Sequence, residues 1–181
     1  MKYIARRVGD RRIFAVEFEF APQQQTSQEL WGCVWLWVGG RCVGETHEVE
    51  IVEFGLNALQ EAVDDPDPRT GSILASMSAE EALNLVMWAR YGDDDPALEA
   101  VAGSRQALEP YEILPRRTGV FFDHWQAVLL EQGETETMIF RRTGQPVSVV
   151  KWSKGTFAST VCEARRAFRL AATGEDIYAS G

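Results

Sequence analysis

The sequence predicts an α+β fold in which a largely antiparallel sheet packs against about four helices. Two β-hairpin signals lie in the first and last thirds of the chain, and amphipathic helical patterns lie between and after them. No regular β-α-β alternation is present, which argues against a parallel sheet. The 181 residues match the usual size of one domain, and neither a repeat nor a linker divides them. We therefore predict a single domain over residues 1–181.

The first β region combines an alternating strand with a hairpin. Residues 13–20, IFAVEFEF, place aromatic and aliphatic side chains on one side and two glutamates on the other, as in a half-buried strand. Strands 31–38 and 41–45 then flank a Gly-Gly pair that matches a two-residue hairpin turn. A turn centred there places Cys42 opposite Trp37, so a disulfide within this hairpin is not expected.

Helical patterns begin in the middle of the chain. Residues 47–54 could extend the preceding strand or enter a helix, and a short helix is predicted over about residues 56–63. A better-defined helix starts after Ser78, because Glu81 three residues later completes a capping box. Its apolar stripe continues to about Tyr91.

Two further helices are predicted from their end signals. Asp95 can cap a helix that begins with a proline and runs over about residues 96–108. Near the C-terminus, Thr156 is the expected cap of a helix over about residues 157–172, which Gly174 ends.

A second β region lies between these helices. Strands 125–131 and 134–141 are separated by a Gln-Gly pair, and a turn centred on that pair places Trp125 opposite Phe140. Residues 147–152 form a third predicted strand.

The first hairpin carries an unusual aromatic stripe. Trp31, Trp35 and Trp37 share one face with Cys33, while the intervening residues give the opposite face an aliphatic surface. Because both faces are apolar, we predict a strand that is covered on both sides. The alternative is an exposed stripe, which would be a binding surface.

The charge distribution separates one segment from the rest of the chain. The net charge is −9, but residues 45–112 alone hold sixteen acidic and three basic residues. Such a segment repels phosphate backbones and attracts basic partners, so direct binding of nucleic acid is not expected. The start of the chain has no signal-peptide pattern and no apolar run is long enough to cross a bilayer. With only three cysteines, a cytoplasmic protein with free thiols and no membrane partner is the expectation.

No reactive constellation is apparent in the sequence. His47 and His124 are the only histidines and neither forms a metal-ligand pair, so no metal site is predicted. The acidic run 93–95 lacks the ligand spacing of a calcium loop, and the glycines match no phosphate-binding motif, so no cofactor is predicted. Glu17 and Glu19 share one strand face, where solvation is the simplest role. No catalytic residue is assigned, and we predict that the protein is not an enzyme.

Four segments of the sequence form a recognisable set: FAVEFEF, WGCVWLWVGGRCVGE, FFDHWQAVLLEQGETETMIFRR and KGTFASTVCEARRAF. They resemble the immunity protein 42 family, and the likeness extends over most of the chain. The hairpin departs from the family's usual pattern at Glu45, where an aspartate is more common. The resemblance implies a bacterial protein that neutralises a polymorphic toxin made by the same or a sibling cell. It transfers no binding residue.

An inhibitor of a basic toxin gains association rate and specificity from complementary acidic charge. We therefore expect the acidic segment to border the surface that contacts a cognate protein toxin. The predicted contact residues are Asp64, Asp65, Asp67, Asp93, Asp94 and Asp95.

Two other classes of function stay open at this stage. One is a small-molecule-binding or enzymatic domain with a pocket beside the tryptophan stripe, using Glu17, Glu19 or His124 as polar groups. The other is a homo-oligomeric adaptor that buries the aromatic residues between copies. The sequence fixes neither the oligomeric state nor the chemistry of a toxin.

Overall fold

The computed structural model describes residues 3–21, 29–45, 49–64, 69–70, 72–114 and 120–174. These residues form an α+β fold, as predicted, with two antiparallel sheets instead of one. The strands are β1 (Ile4–Asp10), β2 (Phe14–Phe20), β3 (Trp31–Val38), β4 (Arg41–Val43), β5 (Glu50–Ile51), β6 (Trp125–Gln132), β7 (Thr135–Arg142) and β8 (Ser148–Ser153). The α-helices are α1 (Val52–Asp64), α2 (Ser72–Ala75), α3 (Ala79–Tyr91), α4 (Pro96–Ala102) and α5 (Thr156–Thr173).

The first sheet has the strand order β1-β2-β3-β4, and β5 pairs with the start of β3. The predicted register of its hairpin is confirmed, since Cys42 lies opposite Trp37. The sequence does not predict β1, because this edge strand is mostly exposed and only Ile4 and Val8 pack against the core. The ambiguous stretch before α1 contains both alternatives, a short strand at 50–51 followed directly by the helix.

The helix ends show which local signals determine the structure. The capping box of α3 is confirmed: Ser78 and Glu81 each accept a hydrogen bond from the other's backbone N–H. Asp95 caps α4 as predicted, but the helix is shorter than predicted. It stops because Gly103 adopts a φ of +75°, a conformation that a right-handed helix cannot include. Residues 106–111 form a separate 3₁₀ helix.

The second sheet is a meander of β6, β7 and β8, and its register differs from the prediction. Trp125 lies opposite Arg142, and Phe140 lies opposite Ala127. The turn is centred one residue later because Gly133, with a φ of +56°, occupies its first central position. A glutamine at that position would carry the positive φ instead, which costs a residue with a side chain more than it costs glycine.

The start of α5 also differs from the prediction. Thr156 does not cap the helix; its hydroxyl donates to the Ser153 carbonyl oxygen. The buried carboxylate of Glu136, on β7, accepts hydrogen bonds from the backbone N–H groups of Gly155 and Phe157 at 2.7 and 3.0 Å. It also accepts one from Trp152 Nε1 at 2.6 Å. A carboxylate at a helix N-terminus satisfies the free amides and interacts favourably with the helix dipole.

Two hydrophobic clusters meet at the second sheet. The larger cluster joins the inner face of the first sheet, α1, α5 and one face of the second sheet. The smaller cluster joins the other face of the second sheet to α2 and α3. In β6, Ala127 and Leu129 belong to the larger cluster, whereas Val128 and Leu130 belong to the smaller one. This double burial explains the continuous apolar run of β6.

The tryptophan stripe lies on the outer face of the first sheet. The aliphatic residues of β3 are fully buried on the inner face, namely Val34, Leu36 and Val38. On the outer face Trp35 and Trp37 are half-buried and Trp31 is 42% exposed. Arg11 places its guanidinium 4.1 Å from the Trp37 ring centroid, and Glu17 accepts a hydrogen bond from Trp37 Nε1 at 2.7 Å. The predicted covering of both faces is thus confirmed only for the aliphatic face.

Replacing Glu136 by glutamine tests its role in the fold. We expect Glu136→Gln to lower the free energy of unfolding by about 2–3 kcal/mol, because a neutral amide accepts hydrogen bonds less strongly and adds N–H groups among existing donors. Urea denaturation followed by tryptophan fluorescence measures the change. Glu134→Gln, in the exposed β6–β7 turn, is the control and should change stability by less than about 0.5 kcal/mol. Equal stability of the two variants would contradict the assigned role.

Candidate functional site

The turn between α3 and α4 carries three of the predicted contact residues. Asp93 and Asp94 are exposed, and the side chain of Asp94 is 96% accessible to solvent. Asp95 has a structural role instead: its Oδ1 accepts hydrogen bonds from the backbone N–H groups of Ala97 at 2.9 Å and Leu98 at 3.4 Å. Two of these three carboxylates therefore face solvent, and the third starts the next helix.

Arg105 holds this turn in shape. Its guanidinium donates to the carbonyl oxygens of Gly92 and Asp93 at 2.9 and 2.7 Å, and to Asp94 Oδ1 at 3.2 Å. The same guanidinium stacks 4.4 Å from the ring centroid of Trp88, whose Nε1 donates to the Asp93 carbonyl oxygen at 2.9 Å. In the sequence Arg105 counts only as a charge, and its role depends on contacts that span 11–13 residues.

Asp64 lies in a different part of the fold. It is exposed at the end of α1, and its carboxylate accepts a hydrogen bond from Gln60 at 2.7 Å. Helix α1 belongs to the larger hydrophobic cluster, whereas α3 belongs to the smaller one. Asp64 and the α3–α4 turn therefore follow helices that pack in different hydrophobic clusters. Asp65 and Asp67 lie outside the described residues.

Helices α3 and α4 carry further carboxylates. The side chains of Glu80 on α3 and Glu99 on α4 are 70% and 54% exposed. Glu81 lies in the capping box, and its hydrogen bonds to Ser78 lower the pKa of its carboxyl below the usual value. Because hydrogen bonds from neutral donors favour the ionised carboxylate, Glu81 keeps its negative charge at neutral pH.

Some acidic residues of the segment point inward. Glu112 is 8% exposed and accepts a hydrogen bond from the Tyr91 hydroxyl at 2.7 Å. Arg90 bridges Glu112 at 3.5 Å and Glu109 at 3.0 Å. The acidic segment therefore uses part of its charge for internal contacts, and the sequence alone does not separate these residues from the exposed ones.

Three groups that could perform chemistry have raised pKa values or structural contacts. Burial raises the pKa of the Cys33 and Cys42 thiols, which lowers their thiolate fraction and reactivity. Glu17, considered above for a small-molecule pocket, accepts hydrogen bonds from Arg11 and Trp37. His124 is exposed just before β6. Among the described residues, no group of three or more His, Cys, Asp or Glu side chains could hold a metal ion.

None of the described helices combines the length and the apolar character that crossing a bilayer requires.

The two-sheet fold is similar to a solved structure, the crystal structure of CdiI from Burkholderia dolosa AUO158. The two share 15% sequence identity and a TM-score of 0.69, and the alignment covers 90% of this chain and 99% of CdiI. A comparison with curated proteins found no match.

The sequence places the chain in the class of immunity proteins. It belongs to the Immunity protein 42 family, whose sequence model matches residues 2–167. The resemblance seen in the hairpin and C-terminal segments is confirmed.

Arg105 offers a test of how the acidic turn is held. We expect Arg105→Ala to reduce the free energy of unfolding by about 1–2 kcal/mol, since backbone hydrogen bonds and a cation–π contact are lost together. Amide hydrogen exchange in residues 92–103 should accelerate more than exchange elsewhere in the chain. Arg166→Ala, at an exposed position on α5, is the control and should leave that exchange unchanged. Uniform acceleration over the whole chain in Arg105→Ala would argue against a local clamp.

The cysteines give a second test of the described surface. Cys162 is exposed on α5, whereas Cys33 is buried and Cys42 is half-buried. In the native protein we expect one thiol to react quickly with Ellman's reagent and two to react slowly, because burial raises the pKa of the other two thiols. The Cys162→Ser variant should lose the fast phase alone. A fast phase that persists in that variant would contradict the assigned accessibilities.

Proposed function

We propose that this protein binds a cognate protein toxin and neutralises it by covering the toxin's active surface. The observation that carries the proposal is membership of the Immunity protein 42 family across residues 2–167. The fold likeness to CdiI supports the same assignment at the level of architecture. In this role the chain needs no catalytic group, and it acts in the cytoplasm, where a toxin from the same or a sibling cell would do its damage.

The exposed carboxylates of the acidic segment form the proposed toxin-facing surface. Asp93 and Asp94 are exposed in a turn that Arg105 holds through the Asp93 carbonyl oxygen and the Asp94 carboxylate. Asp64 adds an exposed charge at the end of α1. Because these groups are solvated before binding, they act mainly by steering a basic partner during its approach. Asp65 and Asp67 are part of the proposal from sequence alone. Asp95 contributes chiefly by holding α4 in place.

This surface favours a toxin with a basic face, such as a protein whose active cleft binds a phosphate-containing substrate. An acidic inhibitor complements such a cleft without binding the nucleic acid itself, since like charges repel. We therefore propose that the protein competes with the toxin's substrate for the toxin surface, and that it does not bind the substrate itself.

Growth rescue tests the class of function directly. The open reading frame beside this gene is expressed from an inducible promoter, with and without this protein in the same cell. A toxic product, rescue by this protein and a co-purifying complex are the expected results. A toxic neighbour that is neither rescued nor bound would contradict the proposal.

Charge reversal tests the acidic surface. We expect the triple variant Asp64→Lys, Asp93→Lys and Asp94→Lys to slow association with the toxin about tenfold at low salt, because steering by complementary charge is lost. Surface plasmon resonance over a range of salt concentrations should also show a weaker salt dependence of the association rate.

The control has the same change of net charge at exposed sites outside the acidic segment. It carries Asp123→Lys, Glu134→Lys and Glu163→Lys, three positions that are all exposed. Its association rate should stay within about threefold of the parent rate if local charge, and not net charge, is responsible. Equal slowing in both triple variants would remove the acidic surface from the proposal.

A further inference from the structure

An apolar groove opens along the first half of α3. It has a volume of about 520 Å³ and lies between α3 and α4, next to the end of α2. Met77, Leu85, Leu98 and Val101 provide its apolar lining, and Glu81 and Asn84 provide polar groups. A volume of this size accommodates one large side chain or a short stretch of a partner's chain.

Helix α4 forms one wall of this groove and is held mainly by contacts near its two ends. Helix α4 has no buried residue. It is fixed by the Asp95 cap at its start, by the Arg105 clamp after its end and by partial packing of Leu98 and Ala102. Val101 on this helix is 44% exposed. The wall therefore presents apolar surface to solvent, although the fold does not require an apolar residue at that position.

Three carboxylates lie in the groove or on the helices that form it, and arginines pair with two of them. Glu81 lies in the lining, Glu80 is its neighbour on α3, and Glu99 lies two residues before Val101 on α4. Two arginines lie close to these carboxylates: Arg141 is 3.9 Å from Glu80, and Arg105 is 3.9 Å from Glu99. Both glutamates stay more than half exposed, so they can interact with charges on a partner.

We propose that the α3–α4 groove is the anchor site for the toxin, and that it takes an apolar side chain flanked by lysine or arginine residues. This inference rests on the proposed function and specifies its contact. An apolar groove with a carboxylate in its lining combines the two features that binding needs. Burial of an anchor residue in a preformed pocket slows dissociation, and carboxylates in and near the groove set orientation and association rate.

Placing a cation in the groove tests the anchor. The probe is the toxin domain encoded by the adjacent open reading frame, and the readout is its dissociation rate from this protein. Val101→Arg should accelerate dissociation about a hundredfold, because the arginine fills the pocket and repels the partner's basic residues. Ser76→Arg, next to Met77 at the end of α2, should have a similar effect without any change in α4.

Val149→Arg is the matched control. Val149 is 47% exposed on β8, so the same substitution adds the same charge at similar exposure outside the groove. Its dissociation rate should stay within about threefold of the parent rate. Melting temperatures of all three variants close to the parent value show that loss of binding is not loss of folding.

The outcomes separate this inference from the proposed function. If the parent protein binds the toxin and both groove variants bind equally well, the groove is not the anchor, although the proposed function stands. If the parent itself does not bind the toxin, the proposed function fails and this inference fails with it. Fast dissociation in both groove variants, with a normal control, supports the groove.

Discussion

The architecture depends on the buried carboxylate of Glu136. Its three hydrogen-bond donors come from the end of β8 and the first residues of α5, so one side chain joins a strand of the second sheet to the helix that follows that sheet. Two of the donor residues, Trp152 and Phe157, place their rings 5.2 and 5.4 Å from the ring of Phe14 on β2. A single ionisable group therefore positions two of the aromatic residues through which the second sheet and α5 contact the first sheet. A buried charge is tolerated here because every hydrogen bond it accepts is directed to it by the backbone or an indole.

The second sheet in turn positions the candidate site. Its far face packs against α3, and the buried Arg69 connects the surrounding segments by donating to the carbonyl oxygens of Pro110 and Ala62. Arg69 also lies 4.0 Å from the carboxylate of Glu131, and the carbonyl groups satisfy part of its buried guanidinium. Residues 92–95 follow α3 directly and form the acidic turn. The turn therefore extends from a helix that is packed against the second sheet. A well-supported position of this kind suits a surface that must meet a partner in one orientation.

The sequence predicts those features that short-range signals determine. The Gly-Gly turn, the capping box and the Asp95 cap each depend on residues within four positions, and all three are correct in the structure. The β6–β7 register and the end of α4 are set by local glycine conformations, at Gly133 and Gly103, whereas the start of α5 depends on a distant partner. Glu136 looks like a solvated residue between two threonines, but its partners lie 16 to 21 residues away. The local sequence predicts Thr156 as the cap of α5, because the carboxylate that binds the first amides of this helix lies about 20 residues away in the chain. For the site, the sequence locates Asp93 and Asp94 in an exposed turn but not the guanidinium that shapes it.

The net charge of the acidic segment overstates the charge that a partner meets. Glu112 is buried and contacts the side chains of Arg90 and Tyr91. The carboxylate of Asp95 accepts hydrogen bonds from the first backbone N–H groups of α4. At physiological salt, charges more than about 8 Å apart are largely screened from one another. Steering therefore depends on the few carboxylates that point outward, and many acidic proteins could present a similar number. Charge alone cannot make an inhibitor selective for one toxin, because selectivity requires a contact that other partners cannot form. The apolar groove between α3 and α4 is the contact that we propose for this role, and the Asp95 cap and the Arg105 hydrogen bonds hold the helix α4 that forms one of its walls.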